Sequence, residues 1–128
     1  MQYLTSEDVV AFYREAIGEP DLRYPDGLES ALGRPQQSAF GEEAYPTLPL
    51  KTAALMQSLA ENQSFVDGNK RIAWICAKVF LQINGATMHA TEAEGYDLLV
   101  NGIANSMSVP DIADWIARRL ISVRQLDS

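Results

Sequence analysis

Apolar positions recur at helical spacing along most of this chain and mark out about six helices. Val9, Phe12, Tyr13 and Ala16 form the stripe of a first helix, which Thr5 or Ser6 caps and Gly18 ends. Two prolines make Glu19 to Pro25 a loop, and Asp26 is placed to cap a short helix through Leu28 and Leu32. From Arg34 to Pro49 the pattern loses its period, with Gly41, Pro46 and Pro49 as breakers. A further helix from about Leu50 puts Ala54, Leu55, Ser58 and Leu59 on one face and runs into Asn62, Gln63 and Ser64.

From Ile72 to about Asn84 the chain is apolar almost all round, through Ile72, Ala73, Trp74, Ile75, Val79, Phe80, Leu81 and Ile83. Such a helix is normally buried, so it is predicted to be the central one. Asn84 and Gly85 end it. Thr87 to Ala90 is expected to form a short strand beside Tyr3 and Leu4. Thr91 and Glu94 make a capping box for a helix carrying Tyr96, Leu98, Leu99 and Ile103. Ser108 and Pro110 open a last helix striped by Ile112, Trp115, Ile116 and Leu120. The expected fold is all-α: one domain over residues 1–128, a compact bundle of about six helices around a buried one, with at most a very short β pairing.

Composition narrows the function. At 128 residues the chain can bury one real core. Its 47% hydrophobic and 21% charged content is that of an ordinary globular protein. A net charge of −7 argues against nucleic acid as partner, because such binders carry a basic face. No apolar run is long enough to cross a bilayer, and Met1-Gln2-Tyr3 opens no signal peptide, so the expected location is the cytoplasm. Cys76 is the one cysteine, which excludes a disulfide framework and a thiolate metal cluster, and its mid-helix position reads as buried.

The chemistry concentrates in Phe65-Val66-Asp67-Gly68-Asn69-Lys70-Arg71. Asp67, Gly68 and Asn69 suit a tight turn. The helix that follows directs its unpaired N–H groups and positive dipole end back at that turn. Lys70 and Arg71 stand in the first helical turn, where a purely structural design prefers acids, and a bound anion would remove the repulsion. The arrangement points to phosphate, held by Lys70, Arg71 and the backbone at Gly68 and Asn69. Each residue also has a structural reading: Asp67 as N-cap, Gly68 and Asn69 as turn formers, Lys70 and Arg71 as a solvated pair. Phe65, Trp74 and Trp115 read as packing residues.

This segment resembles the signature of the Fic/Doc superfamily, and Lys70 is similar to the Doc ("death on curing") branch, since Fic enzymes proper carry Gly there. The likeness extends to Leu4-Thr5-Ser6-Glu7-Asp8, to Gly27-Leu28-Glu29-Ser30-Ala31-Leu32 and to Arg34-Pro35. The resemblance implies a toxin of a toxin–antitoxin pair, with ATP and Mg²⁺ as cofactors, that transfers the γ-phosphoryl to a threonine of elongation factor Tu. In Fic enzymes proper the transferred group is AMP. It further implies that Asp67 holds Mg²⁺ and that Asp67, Lys70 and Arg71 act in catalysis. The implied partners are a Phd-like antitoxin, part of which folds on binding, and a protein of the translation machinery.

One position departs from the pattern. The family's general base is a histidine two places before the Phe, and here that place is Gln63. An amide cannot take a proton near neutral pH. Losing a positioned base costs roughly 10²–10⁴-fold in rate. Gln63 fits either a diverged member or a substituted base. An inactive module that binds nucleotide or antitoxin, and an AMP-transferring enzyme, are the alternative readings. His89 is rejected as a substitute base, because the helix from Gly68 to Asn84 places it roughly 25 Å from the loop.

Two further expectations concern surfaces. Ala39 to Pro49 is either a strand-like flap that pairs with the target or an ordinary solvated loop around Glu42, Glu43 and Tyr45. Phe12, Tyr13, Leu22, Tyr24 and Leu28 form either an antitoxin groove or simply core.

Overall fold

The computed structural model describes residues 1–122. Among them are six α-helices: α1 (Ser6–Ala16), α2 (Pro25–Gly33), α3 (Leu48–Asn62), α4 (Asn69–Ile83), α5 (Glu92–Asp97) and α6 (Val109–Ala117). Two small antiparallel pairs accompany them. β1 (Ser38–Ala39) pairs with β2 (Glu42–Glu43), and β3 (Ala86–Met88) with β4 (Leu120–Ser122). The all-α expectation holds.

Capping chemistry sets the helix starts. Thr5 and Asp8 form a reciprocal capping box on α1, Thr91 and Glu94 form one on α5, and Ser108 caps α6. At α2 the expected Asp26 cap is corrected. Tyr24 is the N-cap without a side-chain bond, Pro25 opens the helix, and Asp26 lies in the first turn, where its charge suits the dipole. Pro49 does not break α3 but lies in its first turn, because an N–H lost there has no helical partner anyway; Thr47 caps the helix through the Leu50 N–H.

The core is organised on α3 and α4 together. The buried face of α4 contributes Ile72, Ala73, Trp74, Cys76, Ala77, Phe80 and Leu81, as the apolar run predicts, while Ile83 is exposed. α3 is buried over more than the predicted face, because it packs against α2, α4 and α6. Even Lys51 is only 2% exposed. Its ammonium donates to the Pro35 carbonyl (3.1 Å) and to Glu43 of β2 (2.9 Å), which ties the β1–β2 hairpin onto the helix.

The expected β pairing exists with a different partner. Ala86, Thr87 and Met88 face Ser122, Ile121 and Leu120, so Leu120 belongs to a strand and not to the last helix. Residues 2–4 are fastened nearby by side chains: Asn84 accepts from the Gln2 N–H and donates to its carbonyl, and Tyr3 packs on Phe80. The helix expected through Ile103 is broken. α5 passes into a wide π-helical turn at Leu98–Gly102 and a 3₁₀ turn at Ile103–Asn105.

Candidate functional site

α3 stops where Gln63 takes a left-handed conformation (φ 48°, ψ 49°), a region that non-glycine residues enter at a cost. The loop beyond it is pinned by residues 21–24. The N–H groups of Arg23 and Tyr24 donate to the Ser64 carbonyl (2.7 and 2.9 Å), and the Val66 N–H donates to the Asp21 carbonyl (2.9 Å). Phe65 is buried and stacked on Tyr13, with ring centroids 4.5 Å apart. The Tyr13 hydroxyl donates to the Asp67 carbonyl (2.8 Å). Burial, helped by the negative charges of Asp67 and Asp21, pushes the Tyr13 pKa up, so the ring stays a donor.

Gly68 is required where it stands. Its φ is +78°, and a methyl group there would lie 3.0 Å from the Tyr13 hydroxyl. Its N–H is taken by the Asp67 carboxylate (2.8 Å). Asn69 gives both ends of its amide to Phe65: Oδ1 accepts from the Phe65 N–H (3.0 Å) and Nδ2 donates to the Phe65 carbonyl (2.8 Å). The Asn69 side chain therefore braces the loop. The α4 ladder begins with the Ile72 N–H on the Gly68 carbonyl (2.9 Å), which leaves the N–H groups of Asn69, Lys70 and Arg71 directed out of the helix end.

These residues converge. Gln63, Asp67, Gly68, Asn69, Lys70 and Arg71 all line one cavity of about 730 Å³. Neither Lys70 nor Arg71 forms a salt bridge or a side-chain hydrogen bond with another described residue. Two cations without a salt bridge at a helix N-terminus are the charge and dipole arrangement that favours an anion. Among the described residues no group of three or more His, Cys, Asp or Glu could enclose a metal ion. Asp67, exposed on the cavity wall, is the kind of single carboxylate that holds Mg²⁺ jointly with substrate phosphates.

A further part of the lining was missed in the sequence. Trp74, Glu92, Ala93, Tyr96 and Leu99 also line the cavity, the last four from α5 and the turn after it. Trp74, assigned above to packing alone, is buried yet reaches the cavity, and its Nε1 donates to Glu92 (3.0 Å). Lys78 also donates to Glu92 (2.7 Å). The Lys78 hydrogen bond leads in holding the Glu92 carboxyl below its usual range, with help from Trp74 and the charge of Arg71. Glu92 reads in the sequence as an ordinary first-turn acid, and only tertiary packing brings it to the site.

Other candidates fall away from the cavity. His89 is exposed beyond the far end of α4. Cys76 is fully buried, and burial pushes its thiol up to about 12. The hairpin projects a fully exposed Phe40 at its tip, with Phe40 and Gly41 both at positive φ, but no residue from 38 to 46 lines the cavity. Tyr45 packs under Arg34, whose Nε donates to its hydroxyl (3.0 Å). Of the five groove residues, Tyr13 and Leu28 are core, Phe12 and Leu22 are half-buried, and Tyr24 is 54% exposed. No described helix is long and apolar enough to cross a membrane.

The chain is 44% identical over 105 residues to a protein of Mycolicibacterium smegmatis named Toxin Doc, covering 80% of this chain and 81% of that one. It is 29% identical over 122 residues to the protein named Protein kinase doc of Escherichia phage P1, covering 92% and 95% respectively. Residues 3–81 match the family described as Fic/DOC. They contain Tyr13, the loop that it braces and the cations of α4, and the chain belongs to the Fic/DOC family.

Proposed function

We propose that the protein is a Doc-type toxin whose cavity takes ATP with Mg²⁺ and directs the γ-phosphoryl to a hydroxyl of a translation protein, with Gln63 leaving the reaction slow. The observation that carries this reading is the convergence of Gln63, Asp67, Lys70, Arg71 and the free N–H groups of α4 on one cavity. The names of the two relatives, a toxin and a protein kinase, support it. A toxin needs a neutralising partner, and a Phd-like antitoxin is the partner proposed, with Phe12, Leu22 and Tyr24 as its exposed or half-buried contact residues.

In this reading the α4 N–H groups, Lys70 and Arg71 hold the phosphates and meet the charge that develops on them. Asp67 is the residue that would hold Mg²⁺, which when bound supplies further neutralisation of the phosphate oxygens. Gln63 can orient an attacking hydroxyl by hydrogen bonding but cannot remove its proton. That single limitation favours a second reading, a binding module that keeps the nucleotide site without turnover.

Comparing the protein with its Gln63→His variant tests the proposal. The His form is expected to arrest growth and to transfer label from γ-labelled but not α-labelled ATP, faster than the Gln form by roughly 10²–10⁴-fold. Equal rates in the two forms refute the base assignment. Transfer from α-labelled ATP assigns AMP transfer instead.

A further inference from the structure

Gln63 holds a left-handed backbone (φ 48°, ψ 49°), a conformation that is free to glycine and costs any residue with a Cβ. Strain of this kind clusters at functional sites, where the surrounding structure holds it in place. The Gln63 side chain lines the cavity, is exposed, and forms no hydrogen bond with another described residue. It offers a free acceptor oxygen and two free N–H donors in the cavity that Asp67, Lys70 and Arg71 also line. Gln63, Val66, Asp67 and Lys70 are all exposed, so water reaches the same space.

What an amide can do here depends on the acceptor of the phosphoryl group. Phosphoryl transfer passes through a loose transition state, in which positioning and charge do most of the catalysis. A water molecule has two O–H groups. One can donate to Gln63 Oε1 and fix the attacking oxygen, while the other delivers its proton to a γ-phosphate oxygen. An alcohol has a single O–H, and the amide would hold the very proton that has to leave. An amide at this position therefore suits water, whereas a base that takes the proton itself suits a protein hydroxyl.

We propose that this chain, with Gln63 in place, hydrolyses ATP: water replaces the protein hydroxyl as acceptor of the γ-phosphoryl group. The inference rests on the reading of the cavity as an ATP site and names what the Gln63 form does there. The water oxygen bonds to the γ-phosphorus as the bond from that phosphorus to the β,γ-bridging oxygen breaks. The bridging oxygen keeps the electron pair and leaves with ADP. One water proton stays on the attacking oxygen, against Gln63 Oε1, and the other moves to a γ-phosphate oxygen. ATP⁴⁻ and water thus give ADP³⁻ and H₂PO₄⁻, with no further reactant. Gln63 Nε2 donates to a γ-phosphate oxygen and steadies the charge together with Lys70 and Arg71.

Incubating the full chain with ATP and Mg²⁺ in ¹⁸O-labelled water, with no target protein present, tests the proposal. Mass spectrometry reads the phosphate and ADP released, and calorimetric titration reads ATP binding separately. The parent is expected to release phosphate carrying one solvent oxygen, together with unlabelled ADP. Gln63→Ala and Gln63→Gly should still bind ATP but release phosphate roughly 10–100-fold more slowly, the worth of a hydrogen bond to a charged group. Gln63→Gly relieves the left-handed strain and so keeps the comparison clear of any loss of folding. Release as fast from Gln63→Gly as from the parent overturns the role of Gln63. A parent that binds ATP without releasing phosphate, or that puts the solvent oxygen into ADP, overturns the hydrolysis and leaves the nucleotide site standing. A parent that binds no ATP overturns the nucleotide reading and the hydrolysis together.

Discussion

Asn69 holds both backbone groups of Phe65, four residues before it, and so closes the loop before α4 into a ring. The Phe65 ring is in turn stacked on Tyr13, whose hydroxyl holds the Asp67 carbonyl. The loop conformation is therefore set from two sides before any ligand arrives. Asn69→Ala removes two part-buried hydrogen bonds and is expected to lower stability by about 2 kcal/mol. Asn69→Asp keeps the acceptor for the Phe65 N–H but sets a carboxylate oxygen against the Phe65 carbonyl, so it should be at least as damaging. Urea denaturation of the three proteins checks this, and an Asn69→Ala variant as stable as the parent would show the brace to be ornamental.

Gly95 and Trp74 make a second prediction. The indole is fixed by its bond to Glu92 and by edge contact with Trp115, so it cannot give way to a methyl group 2.4 Å distant. Gly95→Ala must displace α5, and overpacking of this kind costs about 1–3 kcal/mol. Near-ultraviolet circular dichroism should change with it, since the Trp74 environment moves, while a spectrum and a Tm identical to the parent would place α5 elsewhere.

What the sequence discloses and what it hides follow from how local each signal is. The turn at Asp67–Asn69, the cations at the start of α4, the cap at Thr5, the capping pair Thr91–Glu94 and the burial of Cys76 all rest on neighbours within a few residues, and pattern finds them. The α5 contribution to the cavity does not. Glu92 and Tyr96 carry no local mark, and their role follows from packing α5 across Trp74. The β3–β4 pairing joins segments some thirty residues apart, and three residues at Leu120 are too few to outweigh a helical stripe that ends beside them. α3 was read by the face of Ala54, Leu55, Ser58 and Leu59, yet Lys51 and Thr52 are buried as well, because β2, the Pro35 carbonyl and the helix's own carbonyls supply their partners.

That buried lysine is itself testable. Desolvation pulls the Lys51 pKa down, but the hydrogen bond and charge of Glu43, with Tyr3 nearby, outweigh it and the net direction is up. A raised pKa means that the protonated form stabilises the fold. The contribution is present below the ordinary lysine value, about 10.4, and is lost as pH rises through the higher folded value. Glu43→Ala removes the one carboxylate bonded to the ammonium, leaving it the Pro35 carbonyl and Tyr3, and is expected to cost about 1–3 kcal/mol at neutral pH. The gap between variant and parent should narrow at strongly alkaline pH, and a gap independent of pH would show that Glu43 acts through packing.

Lys70 separates a functional placement from a structural one by the sign of two effects. A cation in the first turn of α4 opposes the helix dipole, so Lys70→Ala should stabilise the ligand-free protein by about 0.3–1 kcal/mol at low ionic strength. The same substitution removes a charged donor from the proposed phosphate site and should weaken binding of inorganic tripolyphosphate by about 1.5–3 kcal/mol. Both effects should shrink as salt is raised, because Lys70 is exposed and its charge is screened. Denaturation measured with and without tripolyphosphate reads the two together: the variant should be the more stable protein without ligand and the less stable one with it. A Lys70→Ala protein that is destabilised in both conditions would show that Lys70 supports the fold, and the case for a phosphate site at this helix end would fall with it.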